Sequence, residues 1–215
     1  MASLDKRTLK QLEAQFLQRY PQGFQDPAIQ AIVKKHRVDK MTEMAQAAFA
    51  KNAFKDTQAC VDNMIAIIGR SSMVSMFEKP KFRDFAKGLN SHDQDFMVSA
   101  LKQFLHGNQR HGFEALTDIL KSRKLAKWSL LTIIPTYYAP AVEVFVKPTT
   151  AKGILAYFAV EDLIYKPTPS WAFYSGYRAL INDAKAKLRK SLSPNNAAFS
   201  GFLMMTINRK VTEAV

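Results

Sequence analysis

Basic side chains gather just before the most apolar segment of the chain, where together they could bind phosphate. The cluster lies in the sequence KSRKLAK and is followed by Trp128 and the apolar run from Leu130 to Ile134. Lysine and arginine neutralise the phosphates of nucleic acids and release counterions, which supplies most of the affinity in nonspecific binding. A solvated basic surface has the same composition, so the cluster is a candidate site and not a motif. Its members are Lys121, Arg123, Lys124 and Lys127.

A second candidate phosphate site is the segment Lys147-Pro148-Thr149-Thr150-Ala151-Lys152. The threonine hydroxyls predict that a helix begins here, with Thr149 or Thr150 as its N-cap. Backbone N–H groups at a helix N-terminus bind phosphate or carboxylate, and Lys147 and Lys152 would add positive charge. The simpler alternative, which the sequence favours, is an ordinary capped helix flanked by two solvated lysines.

Aromatic side chains are dense between residues 128 and 177, where they alternate with lysine and arginine. Aromatics beside cations can stack on the bases of single strands or flipped nucleotides. Tyr137 and Tyr138 lie between two prolines, which predicts a loop with at least one exposed ring. These two tyrosines are therefore the candidate stacking residues. Later rings keep helical spacing and are predicted to be core, namely Trp171, Tyr174 and Tyr177.

Carboxylates in this basic part of the chain are candidates for acid–base catalysis. Glu143, Glu161 and Asp162 could serve an enzyme that acts on nucleic acid, for example one that excises bases. Glu161 and Asp162 are adjacent, and adjacent residues on a helix point in different directions, so their spacing does not make them a catalytic pair. No catalytic motif requires this interpretation, and the catalytic residues of such an enzyme stay undefined.

Motifs for nucleotide, zinc and serine chemistry are missing from the sequence, which contains no GxGxxG, Walker loop, HExxH, CxxC or GxSxG. His106 and His111 flank a Gly-Asn turn and could approach each other or Glu114, but surface residues at a turn are the favoured interpretation. We therefore predict no metal and no cofactor. Cys60 is the single cysteine, and its apolar helical spacing predicts a buried thiol and excludes an intramolecular disulfide.

The net charge is the unusual global property, at +13 for 215 residues. It is uneven, because residues 119–215 contain 14 Lys and Arg against 5 Asp and Glu, whereas residues 1–118 contain 17 against 13. A basic surface can bind a polyanion, or it can simply keep a protein soluble.

Apolar residues recur at spacings of three and four along most of the chain, which predicts amphipathic helices. Asp26-Pro27 predicts a capped helix start, and Met76 and Phe77 extend an apolar pattern toward a short helix at residues 80–88. We predict an all-α protein of about ten helices in an orthogonal or solenoid-like bundle, with a helix from Lys124 to Ile134 that Pro135 ends or kinks. Residues 142–146 alternate like an extended segment. We predict a single domain, residues 1–215, with sub-lobes at 1–120 and 121–215.

No apolar stretch reaches the length of a membrane span, and no apolar run follows the basic residues of the N-terminus. We therefore expect a cytoplasmic protein that does not enter a membrane.

Three functions fit these features. The leading hypothesis is non-enzymatic binding of DNA, RNA or another phosphate-bearing ligand through a basic surface that contains aromatic rings. The second is an enzyme acting on nucleic acid, and the third is a protein–protein interaction or scaffold role. A homo-oligomer is compatible with the sequence, although nothing in it indicates one.

Overall fold

The computed structural model describes residues 2–212, with side chains placed through residue 207, and the regular structure in these residues is helical, with no strand among them. The predicted all-α fold is confirmed for this part of the chain. Three short 3-10 helices lie at Gly23–Gln25, Ala53–Lys55 and Lys190–Leu192. The described residues form eleven α-helices, which are α1 (Lys6–Arg19), α2 (Pro27–His36), α3 (Val38–Ala48), α4 (Thr57–Arg70), α5 (Glu78–Gly88), α6 (Ser91–His106), α7 (Gln109–Lys121), α8 (Trp128–Tyr138), α9 (Pro148–Tyr157), α10 (Trp171–Ala186) and α11 (Asn196–Thr212).

The chain divides into two compact units that are not continuous in sequence. Unit 1 contains Met1–Lys35, Pro140–Lys166 and Ala172–Val215, and unit 2 contains His36–Ala139 and Pro167–Trp171. The prediction of one domain with lobes on either side of residue 120 stays a prediction. No described helix is long and apolar enough to cross a membrane.

Unit 1 is built around contacts of α11 with α1 and α9. The ring of Phe16 on α1 meets that of Phe202 on α11 edge to face, with centroids 5.2 Å apart. Such pairs add to the hydrophobic gain of burial. As the sequence predicts, α2 begins at Pro27, where the Asp26 carboxylate accepts a hydrogen bond from the Ala28 amide at 3.0 Å.

Unit 2 is built around the antiparallel pair α6 and α7, which the Gly107-Asn108 turn connects. Phe104 on α6 and Phe113 on α7 meet edge to face at 5.6 Å, and Trp171 packs against Phe113 at 5.7 Å. Cys60 on α4 lies in the core, as predicted, and burial raises the pKa of its thiol. An apolar void of about 10 Å³ remains where side chains of α4, α5, α6, α7 and α8 meet. This is about the space of a single water molecule.

The segment around Pro135 differs from the prediction. The helix does not begin at Lys124, because Lys124 closes α7 with a left-handed backbone (φ 59°). Instead α8 begins at Trp128 and continues through Pro135 to Tyr138. A proline removes one backbone donor, and here the helix tolerates it, since Pro135 lies near the C-terminal end and its carbonyl still accepts from the Ala139 amide at 2.9 Å.

The segment at residues 142–146 is non-helical, but its burial does not alternate as expected. Glu143, Val144, Phe145 and Val146 are all buried, whereas Val142 is exposed. With no partner strand among the described residues the segment has no pleated face, and side chains of α10 and α11 donate hydrogen bonds to its backbone carbonyls. This burial matters because it includes a carboxylate.

Candidate nucleic-acid interface

An open groove of about 360 Å³ in unit 2 brings Arg123 of the predicted basic cluster against α5. One wall is the α5 face and the other is the segment at residues 122–127. Buried Phe85 and Leu125 give the groove an apolar floor, and Lys81 and Arg123 place a cation on each wall. We call this feature the basic groove, and its lining residues are Lys81, Asp84, Phe85, Gly88, Leu89, Arg123 and Leu125.

The end of α7 holds Arg123 in position. The Leu125 amide donates to the Leu120 carbonyl, and the Lys124 amide donates to the Lys121 carbonyl, both at 2.9 Å. This bond pattern is the Schellman motif, in which the residue after the helix adopts a left-handed conformation. Glycine is usual there, so Lys124 holds this conformation at a cost of about 1 kcal/mol. The turn is therefore fixed by backbone bonds.

Positive charge dominates the two walls. The α5 sequence and residues 121–127 together contain eight Lys and Arg against two acidic residues, Glu78 and Asp84. Asp84, which lines the groove, is paired with Arg83 at 2.8 Å, and Glu78 accepts a hydrogen bond from the Ser129 hydroxyl at 2.6 Å. Asp118 pairs with Lys121 at 3.0 Å. The nearest acidic groups are thus compensated in part, and the predicted cluster, Lys121, Arg123, Lys124 and Lys127, is exposed.

Tyr137 and Tyr138 are not in a loop, so that expectation was wrong. Both belong to α8, and Tyr137 is 0% exposed. Its hydroxyl is hydrogen-bonded to that of Ser71 at 2.9 Å, and burial raises its pKa. Tyr138 is half-buried, with its ring edge to face with His106 at 5.1 Å. Tyr137 therefore cannot stack on a base without local unfolding.

The other predicted phosphate-site residues belong to unit 1, not to the unit that contains the basic groove. The helix α9 begins at Pro148, so Lys147 occupies the N-cap position and makes no side-chain capping bond. The expected threonine cap was wrong, because Thr149 and Thr150 already lie in the first turn. Lys147, Thr149 and Lys152 are exposed, and Lys152 lies 6.0 Å from the ring centroid of Tyr165. Their role as a phosphate site stays a prediction.

Glu143, a candidate acid or base, is held in a buried polar network of unit 1. Its carboxylate accepts hydrogen bonds from the Tyr174 hydroxyl at 2.6 Å and from the Arg178 guanidinium at 2.7 Å. Asn196 is fully buried, and its amide donates to the backbone carbonyls of Val142 and Glu143. Burial and the Glu143 charge raise the pKa of Tyr174 well above its ordinary value. These bonds give Glu143 a structural task, which is to anchor the 140–146 segment to α10.

The network predicts unequal effects of two tyrosine substitutions on α10. Tyr174→Phe removes a bond to a buried carboxylate and is expected to lower the free energy of unfolding by about 1.5–3 kcal/mol. Tyr177→Phe is expected to change it by less than about 0.5 kcal/mol. Among the described residues the Tyr177 hydroxyl has no partner in bonding geometry, although the Ser200 hydroxyl is its polar neighbour. Urea unfolding followed by circular dichroism measures both, and equal losses would contradict the structural role of the Glu143 bond.

Glu161 and Asp162 are exposed in the non-helical stretch between α9 and α10. His106 packs within unit 2, where its Nε2 is hydrogen-bonded to the Phe49 carbonyl at 2.8 Å and its ring contacts Phe54 at 5.6 Å. Across the described residues, no group of three or more His, Cys, Asp or Glu is arranged to hold a metal ion. The geometry therefore adds nothing specific to the enzymatic hypothesis.

Sequence reasoning missed the groove residues contributed by α5, above all Lys81, and the aromatic residue before that helix, Phe77. Lys81 is about forty residues from Arg123 in sequence, so only helix packing brings them together. The available signal was the basic composition of α5, with Lys79, Lys81, Arg83 and Lys87 between its apolar positions.

No protein-family model, curated protein or solved structure matches this chain.

Proposed function

We propose that this protein binds nucleic acid through the basic groove of unit 2, without catalysing a reaction on it. The observation that supports the proposal most is the convergence of Lys81 and Arg123 on one apolar-floored groove of about 360 Å³. A solvated basic surface needs no such convergence, whereas a polyanion gains from several cations along one path.

The arrangement of the flanking charges agrees with a linear ligand. Lys121, Lys124 and Lys127 lie in the same short segment as Arg123, and all four are exposed. The acidic group within the groove, Asp84, has Arg83 as its ion-pair partner, so an incoming phosphate meets less repulsion than the carboxylate alone would cause. Phosphate contacts of this kind position a nucleic acid but carry no base information. We therefore expect weak sequence preference and steep salt dependence.

Charge reversal in the groove tests the proposal. The double variant Lys81→Glu/Arg123→Glu is expected to weaken binding of a fluorescein-labelled mixed-sequence oligonucleotide by about tenfold or more at low salt. The slope of log K against log salt should become shallower by about 2 for duplex DNA, since each lost phosphate contact removes about 0.9. Fluorescence anisotropy over a salt series measures both quantities.

The matched control is Lys6→Glu/Arg7→Glu, which changes the net charge equally at two exposed residues of unit 1. We expect this control to retain most of the affinity, because neither residue lines the basic groove. Equal losses in the two double variants would show that net charge alone is responsible. Failure of the unmodified protein to bind DNA or RNA at low salt would refute the proposal.

A further inference from the structure

Phe77 is a large aromatic side chain that the fold leaves in solvent at a fixed backbone position. It is 73% exposed, as is its neighbour Met76. The backbone here is held by Ser75, whose carbonyl accepts hydrogen bonds from the amides of Glu78 at 3.0 Å and Lys79 at 3.3 Å, while its hydroxyl accepts from the Phe77 amide at 3.3 Å. A ring presented from such a backbone can contact a ligand with little further ordering of the chain.

The position of Phe77 aligns it with the basic groove. Phe77 is the N-cap residue of α5 and has right-handed helical backbone angles (φ −81°, ψ −21°), so the spacing of the helix extends to it. Residues three, four or seven apart share a face of a helix. Lys81 follows Phe77 by four, Phe85 by eight and Gly88 by eleven, and all three line the groove. Phe77 therefore stands at the N-terminal end of the groove-lining face of α5.

An exposed aromatic ring on the same helix face as a basic groove suits single-stranded nucleic acid better than a duplex. The bases of a duplex are stacked on one another and present only their edges in the grooves. Single-stranded bases expose their faces, and proteins bind them by combining a positively charged groove with aromatic side chains on which bases stack. A protein partner would also cover Phe77, but the eight Lys and Arg of α5 and residues 121–127, two of which line the groove, favour a polyanion.

We propose that the basic groove prefers single-stranded over duplex nucleic acid, with a base stacked on Phe77 and the adjoining phosphates on Lys81 and Arg123. This inference rests on the proposed function and specifies its ligand. The aromatic platform is then Phe77, in place of the buried Tyr137 that the sequence suggested.

The test compares a fluorescein-labelled single strand with a hairpin duplex of the same composition. Phe77→Ala is expected to weaken single-strand binding by about 5- to 150-fold, the range typical of losing one base–aromatic stack, with duplex binding unchanged. Phe77→Trp keeps an aromatic ring and should bind the single strand about as tightly as the unmodified protein does. The added indole fluorescence should be quenched by the single strand and not by the duplex. The matched control, Met76→Ala, removes an equally exposed apolar side chain and is expected to leave both affinities unchanged.

The outcomes separate this inference from the function on which it rests. If the protein binds duplex and single strand alike and Phe77→Ala changes neither, the single-strand inference is wrong while nucleic-acid binding stands. If neither probe binds, both proposals fail. A change of sedimentation coefficient in Phe77→Ala, with unaltered nucleic-acid affinity, would instead identify Phe77 as a protein contact and overturn the inference.

Discussion

Replacing Gly112 by alanine is expected to destabilise unit 2 by about 3 kcal/mol, the upper end of the usual cost of overpacking. Gly112 lies on α7 in close contact with the backbone of α6. An added Cβ would lie 2.5 Å from the Ala100 carbonyl oxygen and 2.7 Å from the Phe104 Cα, and closer still to the Phe104 amide nitrogen. These are backbone atoms, so no side-chain rotation can relieve the overlap and the two helices must separate.

Helix separation would also open the packing of Phe104 on Phe113, which accounts for the size of the expected loss. Natural domains have only about 5–15 kcal/mol of stability in total, so a cost of this size should shift the unfolding midpoint clearly. Both tryptophans, Trp128 and Trp171, belong to unit 2. Tryptophan fluorescence in a urea titration therefore reports this unit directly.

The control is the same chemical change at Gly69, an exposed residue of α4 with no atom within 4 Å of an added Cβ. Gly69→Ala is expected to raise the free energy of unfolding by about 0.5–1 kcal/mol, because alanine loses less backbone entropy in a helix than glycine does. Opposite signs for the two substitutions are the expected result. An unchanged free energy of unfolding in Gly112→Ala would show that an added Cβ at this position does not meet the backbone of α6.

Replacing Glu143 by alanine is expected to lower the stability of unit 1 by about 3 kcal/mol, near the lower end of values for breaking a buried ion pair. The Glu143 side chain is 6% exposed and that of Arg178 is 18% exposed. Removal of the carboxylate leaves the Arg178 cation partly desolvated and the Tyr174 hydroxyl without this acceptor. Residual solvent at Arg178 is the reason to expect the lower end of the range.

Glu143→Gln should cause a smaller loss, because a neutral amide oxygen can still accept the Tyr174 hydrogen bond. Unit 1 contains no tryptophan, so circular dichroism at 222 nm in a urea titration is the suitable measurement. Glu161→Ala, in the exposed stretch between α9 and α10, should fall within about 0.5 kcal/mol of the unmodified protein. If Glu143→Ala unfolds at the same urea concentration as Glu161→Ala, Glu143 has no structural role and again becomes a candidate for chemistry.

Local periodicity predicted most of the helices, because an amphipathic stripe and a capping residue depend on neighbours in sequence. The start of α2 at Pro27 and the burial of Cys60 on α4 are both confirmed for this reason. The same reasoning failed around Tyr137, since a proline near a helix C-terminus removes one hydrogen bond without ending the helix. At Phe77 the apolar pattern that follows α4 continues, yet the side chain lies in solvent, and periodicity alone does not reveal this exposure.

By itself, then, the sequence determined the helical class, the excess of positive charge and the basic segment at residues 121–127. The tertiary structure alone decided which residues face that segment and which aromatic ring stays accessible. The reason is physical. A groove between Lys81 and Arg123, or a bond from Tyr174 to Glu143, depends on how helices distant in sequence pack together, and the periodicity of one helix reveals its apolar face but not the partner that covers it.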